Sequence, residues 1–376
     1  MPRKPPVSLD VARFMRRHWQ REPLLVRAAF PRFVDPLSPM QVLALARSAD
    51  AASRLVERRG RGWNVEHGPF SAARLRRLGK RDWTVLVQDT NHFSRAADRL
   101  LARFDFIPHA RIDDVMVSYA APGGGVGPHV DSYDVFLLQG RGRRRWRISR
   151  QKDLGFVAGL DLKILARFEP EREWTLEAGD MLYLPPGVAH DGVAETECLT
   201  WSVGFRAPAD RELVAGFLDF LHERLDPRGQ YRDPGSAPAR HPGEVPSRLE
   251  AHIARAIARI RWSAPDVREF AGRFLSEPKA HVHFTAPARP LPLASFARRA
   301  AGTGLELDAR ARLLFSGTMF FLDGERVEVA PSARALVREL ADRRALGAPI
   351  RAGRAFWETA HAWYRQGVLA CAGEKG

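Results

Sequence analysis

The chain has 376 residues, 45% hydrophobic and 27% charged, with 59 Lys and Arg against 44 Asp and Glu and a formal net charge of +15. That apolar content excludes intrinsic disorder, and the length allows two or three domains with an enzyme-sized core. Two cysteines, Cys198 and Cys371, are too few for a disulfide framework or a Cys-based zinc or iron–sulfur site, so a site metal must use His and carboxylate.

Residues 8–29 read as a helix and its exit, with Ser8 as cap and Val11, Phe14 and Met15 at helical spacing. Short helices are expected at 39–47 and 72–78. From Trp83 the pattern turns to strands: TVLVQDT, VMVSYAAPGGG, HVDSYDVFLLQG, RRRWRIS, EWTLEAGDMLYLPPG and CLTWSVGF, punctuated by Gly and Pro. Such a series without intervening amphipathic helices indicates a β-sandwich or barrel. Beyond Pro208, ELVAGFLDFLHERL is amphipathic, 227–246 reads as a loop, and SRLEAHIARAIARIRW resumes helix. The apolar stripes Phe217, Phe220, Leu221, Ile253, Ile257 and Ile260 exceed what a barrel flank would hide, which predicts a homodimer. After a Pro-rich break at 285–293, ARLLFSGTMFFLDGERVEVA forms a hairpin about Asp323-Gly324, followed by helices at 332–346 and 353–369. The expected domains are 1–208, mainly β; 209–285, helical and dimerising; and 286–376, a winged-helix-like α+β module.

The positive charge invites a nucleic-acid reading. Only six of the 59 basic residues are lysines, however, and with the Ala richness that skew suits a GC-rich genome. Solvated surface arginines and a polyanionic partner both remain open. No apolar leader opens the chain, and no run approaches about 18 apolar residues, so no membrane contact and a cytoplasmic setting are expected.

The chemistry concentrates in GGGVGPHVD at 123–131. A lone His-x-Asp is common by chance. Here His129 and Asp131 lie two apart in an expected strand and share a face. Some sixty residues on, DMLYLPPGVAH brings His190 out of a Pro-Pro-Gly turn. With the two segments side by side, His129, Asp131 and His190 form a two-His, one-carboxylate face. That donor set suits Fe(II) and leaves positions for a bidentate cosubstrate and O2. His281 and His283 also share a strand face, but without a nearby carboxylate they read as surface or packing residues.

PGGGVGPHVDSYDVFLLQGRGRRRWRIS, GDMLYLPPGVAHDGVA and TWSVGFRAP together resemble the bacterial ribosomal oxygenases of the JmjC cupin superfamily. HWQREPLLVRAAF and LVQDTNHF fit the same family, so the likeness covers roughly residues 8–208; beyond 208 it is architectural only. It implies a double-stranded β-helix, Fe(II) with 2-oxoglutarate and O2 as cosubstrates, and hydroxylation of an arginine at C3 in ribosomal protein L16. It also implies a basic residue on a later strand that grips the distal 2-oxoglutarate carboxylate. Arg144 fits, since strand parity turns Arg144, Trp146 and Ile148 inward and Arg143, Arg145 and Arg147 outward.

Asp114, Met116 and Ser118 share one strand face leading to the metal ligands. They are expected to line an arginine pocket or, for Ser118, to reach the cosubstrate. Tyr133 can stack on a guanidinium, and Ser202 lies on the strand after His190. Met116 and Tyr133 read equally as barrel packing. Asp113 and Asp134 have the opposite parity and are expected outside. Two alternatives stay open: a histidyl hydroxylase of another ribosomal protein, and a non-catalytic cupin whose winged helix binds nucleic acid. Contact with ribosomal RNA is compatible with the enzyme reading.

Overall fold

Side-chain caps open the first helices in the computed structural model, which describes residue 6 and residues 8–373 apart from 61, 160, 161, 226 and 227. Asp10 accepts from the Arg13 amide ahead of α1 (Val11–Arg17), and Ser38 forms a capping box with Gln41 ahead of α2 (Pro39–Leu45). The first helix is shorter than the expected span 8–29. Pro23 cannot continue a helix, and the residues after it form β1 (Leu24–Val26).

Two antiparallel sheets follow. The larger one contains β1, β2 (Ser53–Arg59), β3 (Gly62–His67), β4 (Trp83–Val87), β5 (Ile112–Ala120) and β6 (Asp134–Gln139). The smaller is built on β7 (Arg144–Ser149), β8 (Arg172–Leu176) and β10 (Ala189–Ala194), while β9 (Met181–Leu184) and β11 (Cys198–Phe205) return to the larger sheet. Its order is β1-β9-β6-β11-β5-β4-β2-β3, against β10-β7-β8. Chain tracing back and forth between the two sheets makes the expected double-stranded β-helix.

Alternation decides which face goes where. Val135, Leu137, Leu182 and Leu184 pack against Trp146, Ile148 and Leu176 between the sheets. Their neighbours Phe136, Leu138, Met181 and Tyr183 face the other way, into a core with Phe14, Val42, Leu100 and Phe104. That outer layer includes α1, α2, α3 (Ala72–Arg76), α4 (Thr90–Phe93) and α5 (Arg95–Leu101). It also corrects the expectation for Asp134, which points away from the space between the sheets yet is fully buried. Its carboxylate accepts from Tyr183 Oη at 2.6 Å, Gln20 Nε2 at 3.0 Å and Arg111 Nη2 at 3.0 Å.

In the helical region, α6 (Asp210–His222) and α8 (Ala264–Ser276) bury Phe220, Leu221 and Phe270, with Phe217, Ile260 and Phe274 packed beside them, while α7 (Ser247–Ile257) carries no buried residue. Val214, Leu218, Ile253, Ile257 and Trp262 remain exposed. The last module comprises α9 (Leu293–Thr303), β12 (Leu305–Leu307), β13 (Leu313–Ser316), β14 (Met319–Leu322), β15 (Glu325–Val327), α10 (Arg334–Arg343), β16 (Ala345–Leu346), α11 (Arg354–Arg365) and β17 (Leu369–Cys371). Asp323 and Gly324 both take positive φ, +50° and +86°, and join β14 to β15, while β13 adds a third strand. No helix among the described residues is long and apolar enough to cross a membrane.

Candidate functional site

The glycine run lays the backbone against the end of the smaller sheet. A Cβ on Gly125 would lie 2.4 Å from the Gly192 carbonyl oxygen, and Gly127 has φ of +80° beside Trp63 and Ile164. This close approach lets His129 and His190 pair through two backbone hydrogen bonds of 2.9 Å each. The pairing is a single bridge. The strand expected over HVDS does not form, β6 begins only at Asp134, and Tyr133 sits in a bend rather than at a strand position.

His129, Asp131 and His190 bring their donor atoms within 4.8 Å of one another. His190 Nε2 is 3.6 Å from Asp131 Oδ2, and His129 Nε2 is 4.0 Å from Asp131 Oδ1. Each imidazole Nδ1 lies 2.9 Å from a carbonyl oxygen, Gly127 for His129 and Val188 for His190. A carbonyl only accepts, so both Nδ1 atoms carry the proton and both Nε2 lone pairs face Asp131. Burial, reinforced by neighbouring His129, lowers the His190 pKa to about 4 and keeps that ring neutral, the form that ligates a metal. The donor set fits Fe(II).

Arg144 reaches across between the sheets. Only 4% exposed, it donates from Nη1 to Ser118 Oγ at 2.9 Å and to Thr200 Oγ1 at 3.2 Å, and Thr200 donates on to Gln139 Oε1 at 3.2 Å. Among the described residues no carboxylate pairs with it, and its buried Nε has no partner. A buried guanidinium supported only by hydroxyls fits an anionic ligand, since desolvation leaves the charge uncompensated otherwise. Trp146 lies beside it, with the Arg144 guanidinium 5.5 Å from the indole centroid and the His190 ring 5.9 Å from Trp146. The indole N–H is also buried and unpartnered.

Asp114, Met116, Ser118, Tyr133 and Ser202 line one cavity of about 410 Å³ with Arg144 and the three metal-ligand candidates. Asp114 is 8% exposed, and its Oδ2 accepts the Asp89 amide at 3.0 Å. Burial pushes its pKa up to about 7; Lys279 pulls it down, while Asp113 and Asp89 push it further up. Burial, then Asp131, Asp114 and Asp113, raises the Tyr133 phenol and keeps it protonated. Asp113, expected outside, lines the same cavity. The reason is a register shift at the start of β5: between the pairs Val203–Val115 and Phe205–Ile112, two β5 residues, Asp113 and Asp114, stand opposite the single β11 residue Gly204, and this bulge in β5 breaks strict alternation.

Thr200, Asp89 and Lys279 escaped the sequence reading. Thr200 shares parity with Ser202, so the same alternation would have found it. Asp89 and Lys279 are joined only by the tertiary fold and carry no local signal. The expectation for His281 also needs correction. Residues 281–283 form no strand, and His281 has a carboxylate neighbour, Asp89 Oδ2, 3.4 Å from its Nε2. Asp89, His92 and His281 thus gather three donor groups. Lys279 Nζ, 2.7 Å from Asp89 Oδ1, already neutralises that carboxylate, and Arg312 adds positive charge beside His92. The group is an ion-pair network rather than a second metal face.

Comparison with known proteins bears on both fold and site. The JmjC domain family matches residues 99–213, the ROXA-like winged helix family residues 259–370, and the AraC-like ligand binding domain family residues 169–265. The chain is 35% identical over 324 residues, 86% of each chain, to ribosomal protein uL16 3-hydroxylase from Escherichia coli strain K12. It is 38% identical over 218 residues to a probable ribosomal oxygenase from Haemophilus influenzae, covering 57% of this chain and 54% of that one. A solved structure of YcfD, a ribosomal oxygenase from Escherichia coli in complex with cobalt and 2-oxoglutarate, superposes with a TM-score of 0.82 and 34% identity over 97% of this chain and 99% of that chain. Sequence and fold agree over most of the chain, and it belongs to the JmjC-domain ribosomal oxygenases.

Proposed function

We propose that the protein is an Fe(II)- and 2-oxoglutarate-dependent dioxygenase that hydroxylates C3 of an arginine side chain in ribosomal protein L16. The observation that carries this reading is one cavity holding a two-His, one-carboxylate face, an unpaired buried guanidinium and a buried acid. Bound there, Fe(II) with 2-oxoglutarate and O2 supplies oxidative decarboxylation to succinate and CO2 coupled to conversion of a C–H bond to an alcohol.

The chain's own residues do the positioning. His129, Asp131 and His190 would hold the metal with their ring orientations set by the Gly127 and Val188 carbonyls. Arg144 would grip the distal carboxylate of 2-oxoglutarate, steadied by Ser118 and Thr200. Asp114 would pair with the substrate guanidinium, Tyr133 would stack on it, and Met116 and Ser202 would fill the pocket wall, fixing which carbon faces the metal. The acid at 114 favours a cationic arginine over a neutral histidine.

Three further assignments complete the proposal. Residues 1–208 carry the chemistry; residues 209–285 pair two copies through the exposed Val214, Leu218, Ile253 and Ile257; and residues 286–376 meet ribosomal RNA in a cytoplasmic particle. Sedimentation at the mass of one chain would remove the dimer. The purified protein with Fe(II) and 2-oxoglutarate should add the mass of one oxygen atom to an arginine of L16. Succinate formation without that addition would sink the substrate assignment, and no 2-oxoglutarate turnover at all would favour a binding-only cupin.

A further inference from the structure

The last residue of α8 and the segment that follows it are held from two sides. From the winged-helix side, the Gly324 amide donates to Ser276 Oγ at 3.1 Å and Arg310 Nη1 donates to the His283 carbonyl at 2.8 Å. From the catalytic side, Lys279 Nζ reaches Asp89 Oδ1 at 2.7 Å and Asp113 Oδ1 at 3.3 Å. The two anchors matter because of what each touches. The Asp89 amide donates to Asp114 Oδ2 at 3.0 Å, and Asp113 is the chain neighbour of Asp114. Three carboxylates therefore converge, two of them, Asp113 and Asp114, on the wall of the cavity and Asp89 behind it. The groups facing them are Lys279, the protonated Tyr133 phenol, His281 on Asp89 Oδ2, and Arg312, whose Nη2 donates to the Asp113 carbonyl at 3.4 Å. His92, held neutral by burial with its pKa lowered to about 4, adds no charge.

We propose that Lys279 is a positioning residue for substrate recognition: it ties Asp89 to Asp113 and keeps Asp114 oriented and charged to receive the substrate guanidinium. This rests on the reading of Asp114 as the substrate-facing acid. Three adjacent carboxylates repel one another; of the two buried ones Asp89 has an ammonium at 2.7 Å, so Asp114, with no direct ion pair among the described residues, is the first to give up its charge. A carboxyl that has taken a proton no longer offers a charge-assisted bond to a guanidinium. One ammonium placed between Asp89 and Asp113 offsets that repulsion without entering the substrate's own space. Because Ser276 and His283 are fixed by the C-terminal module, that module helps to set the charge of a pocket in another domain.

The test is steady-state kinetics on the iron-loaded full chain with an arginine-containing L16 peptide. Lys279→Met should raise the peptide KM about tenfold with kcat within about twofold, the effect of a change of roughly one pKa unit at Asp114. The defect should shrink as pH rises and Asp114 ionises without help. Lys279→Arg should restore the KM, and Lys279→Gln, which is polar but uncharged, should behave like Met and guards against a folding defect in the first variant. A KM unchanged in Lys279→Met and Lys279→Gln while Asp114→Asn raises it would overturn the role of Lys279 and leave that of Asp114 standing. An unchanged KM in Asp114→Asn would overturn both. A defect equal at every pH, or one that Arg does not rescue, would reduce Lys279 to a structural tie.

Discussion

Arg144 and Ser118 stand 2.9 Å apart across the two sheets, a guanidinium from β7 meeting a hydroxyl from β5. The bond crosses the interior of the barrel, so it fixes the cation's height within the cavity as well as its direction. Removing the cation should affect the anionic cosubstrate far more than the fold. Arg144→Met is expected to weaken 2-oxoglutarate binding by roughly 2–5 kcal/mol, about thirtyfold to a few thousandfold, the usual cost of deleting one side of a buried charge pair. The unliganded variant should be no less stable than the parent, because an unpaired buried charge has been replaced by a thioether of similar volume. Arg144→Lys should fall between the two, keeping charge but losing the planar fork. Calorimetric titration of 2-oxoglutarate reads the first effect and thermal melting the second. Unchanged affinity in Arg144→Met would remove this residue from the cosubstrate site.

Asp114 sets function against stability. Its folded pKa is raised to about 7 from the ordinary carboxylate value of 3.8, with burial as the main cause. The folded state therefore holds a proton that the unfolded chain has released, and stability falls as pH rises through the window between those two values. Above it, the buried carboxylate costs on the order of a few kcal/mol. Asp114→Asn keeps an oxygen for the Asp89 amide and removes that cost. Its melting temperature should exceed the parent's at about pH 8 and approach it at about pH 4, while its peptide KM rises. A melting difference that does not vary with pH would show that Asp114 is not the group responsible.

Gly192 lies directly beneath the Trp146 indole. A Cβ there would approach the ring to 2.6 Å, and the strand pairing sets Gly192 opposite Trp146. Neither backbone has slack, because both belong to the smaller sheet. Gly192→Ala should destabilise the protein by about 1–3 kcal/mol through overpacking. By pushing the indole toward Arg144, it should also weaken 2-oxoglutarate binding. Trp146→Phe, which shortens the ring, should recover much of that loss in the double variant, and the coupling between the two changes is the quantity to measure. Strictly additive effects would mean that the clash is relieved elsewhere.

What the sequence disclosed depended on how locally each feature is encoded. The alternation in RRRWRIS turned Arg144, Trp146 and Ile148 inward without knowledge of any partner strand. The three metal-ligand candidates were visible because His129 and Asp131 lie two residues apart and His190 follows a Pro-Pro-Gly turn. Their pairing still needed the fold, since the expected strand through His129 is only one bridge. Parity failed at Asp113, where a bulge in its own strand broke the alternation, and it misled at Asp134, whose outward face is covered by Tyr183 and Gln20. The contact between Lys279 and Asp89 spans 190 positions. No periodicity links residues that far apart, so only the folded chain reveals them as one network.

Counting bound metal separates the two clusters of donor groups. His129, Asp131 and His190 point three donor atoms inward, with both Nδ1 protons spent on carbonyls and no basic side chain in the set. Asp89, His92 and His281 satisfy the same distance limit, but one Asp89 oxygen is held by Lys279. A divalent ion there would have to displace or outbid an ammonium at 2.7 Å. Full-length protein equilibrated with cobalt should therefore retain one ion per chain. His129→Ala or Asp131→Ala should lose it, whereas His281→Ala should keep it, and chelation should release it without unfolding the barrel, whose core is apolar and independent of the site. Two ions per chain, with one lost in His281→Ala, would mean that the Lys279 ion pair yields to metal. That outcome would also undo the account of how Lys279 supports the substrate pocket, because the same ammonium cannot hold Asp89 and surrender it.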